Sequence, residues 1–160
     1  MPIKVGERLP EAKFRVMTPE GPAWKTTDDV FKGKKVALFA VPGAFTSTCH
    51  KTHVPSIVEN AAALKAKGVN TIAVTSVNDV FVMDAWQKAS GAGNVDFLAD
   101  GNGEFAKAID LAFDASGNGL GIRSRRYAML VDDGVVKMLN IEEAPGKVEV
   151  SGGGAMLKQL

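Results

Sequence analysis

The chain reads as an α/β sandwich built around a central mixed β-sheet flanked by helices, and three features predict it. Strand-length apolar runs at 35–41, 71–77 and 95–99 alternate with segments of helical periodicity. Late in the chain, Asp132-Asp133-Gly134 separates two further apolar runs, which is a hairpin signal. Alternating strand and helix implies parallel pairing early, and the hairpin implies antiparallel pairing late.

In order, residues 13–18 alternate and read as a first strand, closed by Pro19-Glu20-Gly21-Pro22. Thr27-Asp28-Asp29 before Val30-Phe31 reads as a short capped turn ended by Gly33. The run 35–41 is a buried strand broken by Pro42-Gly43. Residues 47–67 form a helix, with Val54, Ile57, Val58, Ala61 and Leu64 at helical spacing and Gly68 as its stop; Pro55 predicts a kink or break inside it. After the strand 71–77, Asn78 or Asp79 caps a helix that runs through Phe81, Ala85 and Trp86 to about Gly91. A strand at 95–99 and a helix over 103–113 follow, the latter with Phe105, Ala108, Ile109 and Ala112 on its apolar side. Gly117-x-Gly119-x-Gly121 lacks the strand-to-helix setting of a nucleotide loop and reads as a turn. Strands at 127–131 and 135–139 make the hairpin. Gly152-Gly153-Gly154 then separates a last polar strand from a terminal helix, 155–160.

The 160 residues suit one domain spanning 1–160. With 19 basic and 18 acidic side chains and no basic run longer than two, nucleic acid is not an expected partner. No apolar stretch approaches the ~20 residues that cross a bilayer, so no membrane partner is expected. The N-terminus carries no secretory pattern, and a single unpaired cysteine suits a reducing compartment; a cytoplasmic location is expected.

That one cysteine, Cys49, excludes any internal disulfide. It follows a buried strand and a Pro-Gly break, in the first turn of the predicted helix, with Thr46 or Ser47 as candidate cap. Unpaired backbone N–H groups and the positive helix end there favour the thiolate, which is the nucleophilic form. Thr46 lies three residues before Cys49, so hydroxyl and sulfur can meet on one face of a turn. Pro42 stiffens the loop and can shield the sulfur. Backbone N–H groups near Gly43, Ala44 and Cys49 could complete a donor pocket. His53 stands four residues after Cys49 and His50 beside it, but a metal site needs more ligands than this chain brings near them. His50 reads as an entrance or surface residue. Phe45, Phe81 and Trp86 read as core or interface.

The segment Pro42-Gly43-Ala44-Phe45-Thr46-Ser47-Thr48-Cys49 resembles the peroxidatic-cysteine signature of peroxiredoxins, in the form typical of the type II, peroxiredoxin-5-like subfamily. Ser76–Met83, Arg123–Ala128 and Asp132–Lys137 are similar to further family segments, so the resemblance covers nearly the whole chain. It implies a thioredoxin-like fold and a thiol peroxidase of antioxidant defence and redox homeostasis, acting on hydrogen peroxide and alkyl hydroperoxides. It implies Cys49 as the nucleophile that becomes a sulfenic acid, Thr46 and Arg126 as groups that hold thiolate and peroxide, and Pro42 as cover over the sulfur. Gly43 and Ala44 would join Thr46, Cys49 and Arg126 in substrate binding. Arg123 and Arg125 read as solvated. The resolving cysteine of some type II members would fall at about Val74 or Val150, and neither position is a thiol here. The resemblance therefore implies reduction by an external thiol, glutathione or glutaredoxin, with thioredoxin the lesser candidate. No cofactor is implied, and a homodimer touching at Phe45 is. The competing readings are a thiol–disulfide oxidoreductase, which the missing Cys-x-x-Cys opposes, and a redox sensor.

Overall fold

The computed structural model describes residues 1–160. Its strands are β1 (Lys13–Thr18), β2 (Gly21–Thr26), β3 (Lys35–Ala40), β4 (Thr71–Ser76), β5 (Asp96–Ala99), β6 (Ala112–Asp114), β7 (Ile122–Ser124), β8 (Tyr127–Asp132) and β9 (Val135–Ile141). Its α-helices are α1 (Thr27–Phe31), α2 (Val54–Ala66), α3 (Val80–Ala89), α4 (Glu104–Ala108) and α5 (Gly153–Gln159). Seven strands form one mixed sheet in the order β2-β1-β5-β4-β3-β8-β9, while β6 and β7 form a separate hairpin. The pairs β3–β4 and β4–β5 are parallel; β1–β5, β3–β8 and β8–β9 are antiparallel. This is the thioredoxin-like α/β architecture, with helices on both faces.

The central strands bury both faces. Ala37 and Phe39 of β3 join Val74, Phe97 and the inner sides of α2, α3 and α5. The alternate residues Val36, Leu38 and Ala40 join Phe14, Phe31, Phe105 and Tyr127 on the other side. Asp133 and Gly134, with φ of 49° and 80°, make the two-residue turn that the hairpin sequence demands.

Four sequence expectations are corrected. The stretch after Thr18 is a strand, β2, because the turn at 19–20 is tight enough for Gly21–Thr26 to pair back on β1. Thr26, not Thr27, then caps α1, in a reciprocal capping box with Asp29. The helix expected over 103–113 stops at Ala108, since Asp110 takes a left-handed φ of 58° and the apolar residues beyond it become β6. No strand precedes Gly152; instead one oxygen of the buried Glu142 accepts from the backbone N–H groups of Glu149, Val150 and Ser151.

The helix at 47–67 is also not uniform. Residues Cys49–His53 form a π-turn, in which Val54 N–H bonds Cys49 O, and α2 begins immediately after it. Pro55 explains the change: it has no N–H for Lys51 O, and its ring would strike that carbonyl in an α-turn. Widening the turn carries the helix past the proline, and such π-turns recur at functional sites.

Candidate active site

Strand register brings distant residues together at the carboxyl end of β3. Ala40 pairs with Tyr127, so Arg126, one residue before β8, stands at the level of the Val41-Pro42 exit. The parallel neighbour β4 ends at Ser76, and Asn78 just beyond it reaches the same loop. Asn78 Oδ1 accepts from Ala44 N–H at 2.9 Å and from Ser76 Oγ at 2.6 Å. It ties the Pro42–Thr46 loop to the sheet, while the helix cap falls to Asp79.

The loop itself is closely built. A Cβ on Gly43 would lie 3.0 Å from both Arg123 Nη1 and Thr46 Cγ2, so only glycine fits without displacing one of them. Phe45 takes a φ of 62°, a conformation that costs a non-glycine residue roughly 1–2 kcal/mol. Its ring packs on His50 and Trp86, with centroids 5.5 and 6.2 Å away, which offsets that strain. His50 Nδ1 accepts from the indole N–H of the buried Trp86 at 2.9 Å, so His50 is part of the wall under the loop. Phe81, by contrast, projects outward and is two-thirds exposed, at 66%.

Cys49 is fully buried, and Arg126 Nη2 donates to its sulfur at 3.0 Å. Arg126 Nη1 donates to His53 Nδ1 at 2.8 Å, and Arg126 Nε donates to Pro145 O at 2.9 Å. A guanidinium cannot accept, so His53 must carry its hydrogen on Nε2, which donates to Ser151 O at 2.7 Å. Burial, followed by the charge of Arg126, pulls the His53 pKa down to about 4, against smaller opposing pulls from the Ser151 bond and Glu142. His53 is therefore neutral at pH 7. Burial pushes the Glu142 carboxyl up, but its bonds from Ser151, Val150 and Glu149 outweigh that and hold it below its ordinary range. The charge of Arg126 thus meets an imidazole, a carbonyl and a sulfur, and no carboxylate lies within ion-pair distance of it. Of these three partners only the sulfur faces the site as a nucleophile, held by a hydrogen bond from the buried guanidinium.

The opposite side of the sulfur differs from expectation in two ways. Neither Thr46 nor Ser47 caps the turn with a side chain, because the Thr46 hydroxyl donates back to Gly43 O at 2.7 Å. That leaves the Thr46 oxygen with lone pairs only, an acceptor and not a donor towards the site. The Ala44 N–H is spent on Asn78, whereas the N–H groups of Gly43 and Cys49 meet no acceptor in the protein. Two free donors and one acceptor suit a group with paired oxygens and one hydrogen. Of the positions where a second cysteine would fall, Val74 is buried in the sheet and Val150 is exposed.

Sequence reasoning had Cys49, Thr46, Pro42, Gly43, Ala44 and Arg126 as one group, and the fold brings all six around the sulfur or its loop. It missed the tie from Asn78, which reads as a helix cap, to Ala44, and the pairing of His53, which reads only as a helix neighbour of Cys49, with Arg126. Arg123 is not simply solvated: its Nε donates to Leu120 O at 2.9 Å and its Nη1 to Pro42 O at 3.4 Å. Arg125 is exposed, at a cleft of about 430 Å³ that it shares with Glu142, Glu143 and Asp110.

A family model described as Redoxin matches residues 4–157. The chain is 48% identical over 164 residues to Peroxiredoxin-2E-2, chloroplastic, of Oryza sativa subsp. japonica, covering 99% of this chain and 72% of that one. It is 47% identical to Peroxiredoxin-2C of the same plant, covering 99% of both chains. Reduced Prx3 of Vibrio vulnificus, solved in complex with H2O2, superposes with a TM-score of 0.94 at 48% identity, covering 98% of each chain.

Proposed function

The chain belongs to the type II, peroxiredoxin-5-like peroxiredoxins and is a thiol peroxidase; on that footing we propose that Cys49 carries the reaction and that glutathione or glutaredoxin completes it. The observation that supports this most is the Arg126–Cys49 contact at 3.0 Å in a chain with no second thiol. The Cys49 thiolate attacks one oxygen of the hydroperoxide with its own electron pair. The O–O bond breaks, the attacked oxygen stays on sulfur as a sulfenic acid, and the other oxygen leaves and is protonated to water or an alcohol. Arg126 stabilises the charge that moves from sulfur to the leaving oxygen. The Cys49 and Gly43 N–H groups donate to the peroxide oxygens, the Thr46 oxygen accepts its hydrogen, and Pro42 covers the sulfur.

An external thiol then attacks the sulfenic sulfur, forming a mixed disulfide and releasing water, and a second thiol frees Cys49 as a disulfide leaves. Hydrogen peroxide and alkyl hydroperoxides are the proposed substrates, antioxidant defence in the cytoplasm the proposed role, and a homodimer touching at the half-exposed Phe45 the proposed assembly. The relative of Vibrio vulnificus that holds H2O2 supports the first of these. Peroxide consumption with glutathione and glutaredoxin tests the assignment: Cys49→Ser abolishes it, and surviving turnover would refute the role of Cys49. Replacing glutaredoxin by thioredoxin in the same assay gives less turnover; the reverse order would move the reductant to thioredoxin.

A further inference from the structure

We infer that Arg123 is a specificity residue for the reducing half of the cycle, a cation at the mouth of the site that selects thiols bearing a carboxylate. The inference rests on the proposal that an external thiol reduces Cys49. Its starting point is that Arg123 is half-buried yet unpaired: no Asp or Glu lies within ion-pair distance, and both of its acceptors are backbone carbonyls. The bonds to Leu120 O and Pro42 O use two of the five guanidinium hydrogens, and three remain for a ligand.

Its place is equally specific. Nη1 and the Thr46 methyl flank Gly43, each 3.0 Å from where a side chain there would begin, so Arg123 lies on the loop beside the proposed peroxide site. Arg126 is buried, and each of its three nitrogens already donates, to Pro145, His53 and Cys49. Arg125 points to a separate cleft that it lines with Glu142, Glu143 and Asp110. Of the three arginines in this segment, Arg123 alone combines partial exposure and free donors with a place on the Pro42–Thr46 loop. A carboxylate accepts two parallel N–H bonds from such a fork, and a thiol held by that contact would arrive beside the loop over Cys49. The step it serves is the attack of the bound thiolate on the Cys49 sulfenic acid, which forms the mixed disulfide as hydroxide leaves and is protonated to water.

The test separates charge from thiol identity. Protein oxidised with one equivalent of hydrogen peroxide is mixed in a single turnover with mercaptoacetate, 2-mercaptoethanol or cysteamine, and rates are compared per thiolate. Native protein reacts with the anionic thiol about fivefold faster than with the neutral one and slowest with the cationic one, the scale of one partly solvated charge contact. The ranking shrinks at high salt. Arg123→Gln removes it, while Arg123→Lys retains the order, because the charge persists though the bonds to Leu120 and Pro42 do not. Equal losses for all three thiols in both variants would make Arg123 a clamp on the loop and overturn the inference, as would an unchanged ranking in Arg123→Gln. If native protein is reduced by none of the thiols, the external-thiol proposal itself falls. If all three reduce it at equal rates, only the role of Arg123 falls.

Discussion

The two sides of the Cys49 sulfur are built in opposite ways. On one side every polar group is committed: Arg126 to sulfur, His53 and Pro145, His53 to Ser151, and Ser151 to Glu142. On the other, the Cys49 and Gly43 N–H groups and the Thr46 lone pairs are uncommitted, while Asn78 and Gly43 hold the loop around them in place. A buried cation must be fixed before any substrate comes, because its desolvation is costly and only a well-made set of partners offsets it. Groups that bind a transient substrate must stay unspent. In the proposed reaction the saturated side would stabilise charge at sulfur, and the open side would receive the peroxide.

Predictions follow from that division, the largest first. Arg126→Gln slows oxidation of Cys49 by peroxide about 10²- to 10³-fold in stopped-flow single turnovers, the usual loss for a preorganised charge stabiliser. A loss below threefold would assign that role elsewhere.

The saturated side also sets a pH limit. The folded His53 binds a proton near pH 4 and an unfolded histidine near 6.5, so the unfolded state takes up more protons between those values. Stability is unaffected by His53 above pH 6.5 and falls as the pH drops from 6.5 to 4, by up to about 3 kcal/mol. His53→Asn keeps an acceptor for Arg126 and removes the titration, so urea melts at pH 7 and pH 4.5 should differ less than in the native protein. An equal pH slope in both proteins would remove His53 as its cause.

On the open side, Thr46→Val slows peroxide oxidation about 10- to 100-fold, the value of one hydrogen bond to a reacting group. Thr46→Ser keeps most of the rate; if it fell as far as valine, packing rather than the hydroxyl would be the cause. Asn78→Ala strands the Ala44 N–H and should cost about 1–3 kcal/mol in chemical denaturation, with a smaller loss of rate. A variant as stable as the native protein would show that Asn78 does not tether the loop.

The same contrast explains what was legible in the sequence. Strands β3, β4 and β8 are covered on both faces and so carry continuous apolar stretches, Val36–Ala40, Ile72–Val74 and Tyr127–Val131. Strand β2 is an edge strand carrying Gly21, Pro22 and an exposed Trp24, which read as a turn. The helix reads on to 113 because Phe105, Ala108, Ile109 and Ala112 fall at helical spacing, which does not show that Asp110 turns left-handed. Residues 142–151 are organised by a single carboxylate bonding to backbone, which leaves no pattern at all. At the site, Cys49, Thr46 and Arg126 were legible from a specific local motif and its distant partner. The links through His53, Asn78 and Arg123 depend on strand register and on which side-chain hydrogens are already spent, and neither is written in local sequence.

The division of labour is tested most directly by measuring Cys49 against two electrophiles, hydrogen peroxide and iodoacetamide, in native protein, Arg126→Gln and Thr46→Val. Iodoacetamide needs the thiolate but none of the peroxide-binding groups. The account predicts that Arg126→Gln slows both reactions, whereas Thr46→Val slows the peroxide reaction and leaves alkylation within about twofold of native, less than one hydrogen bond is worth. Loss of alkylation in Thr46→Val, or its retention in Arg126→Gln, would contradict it.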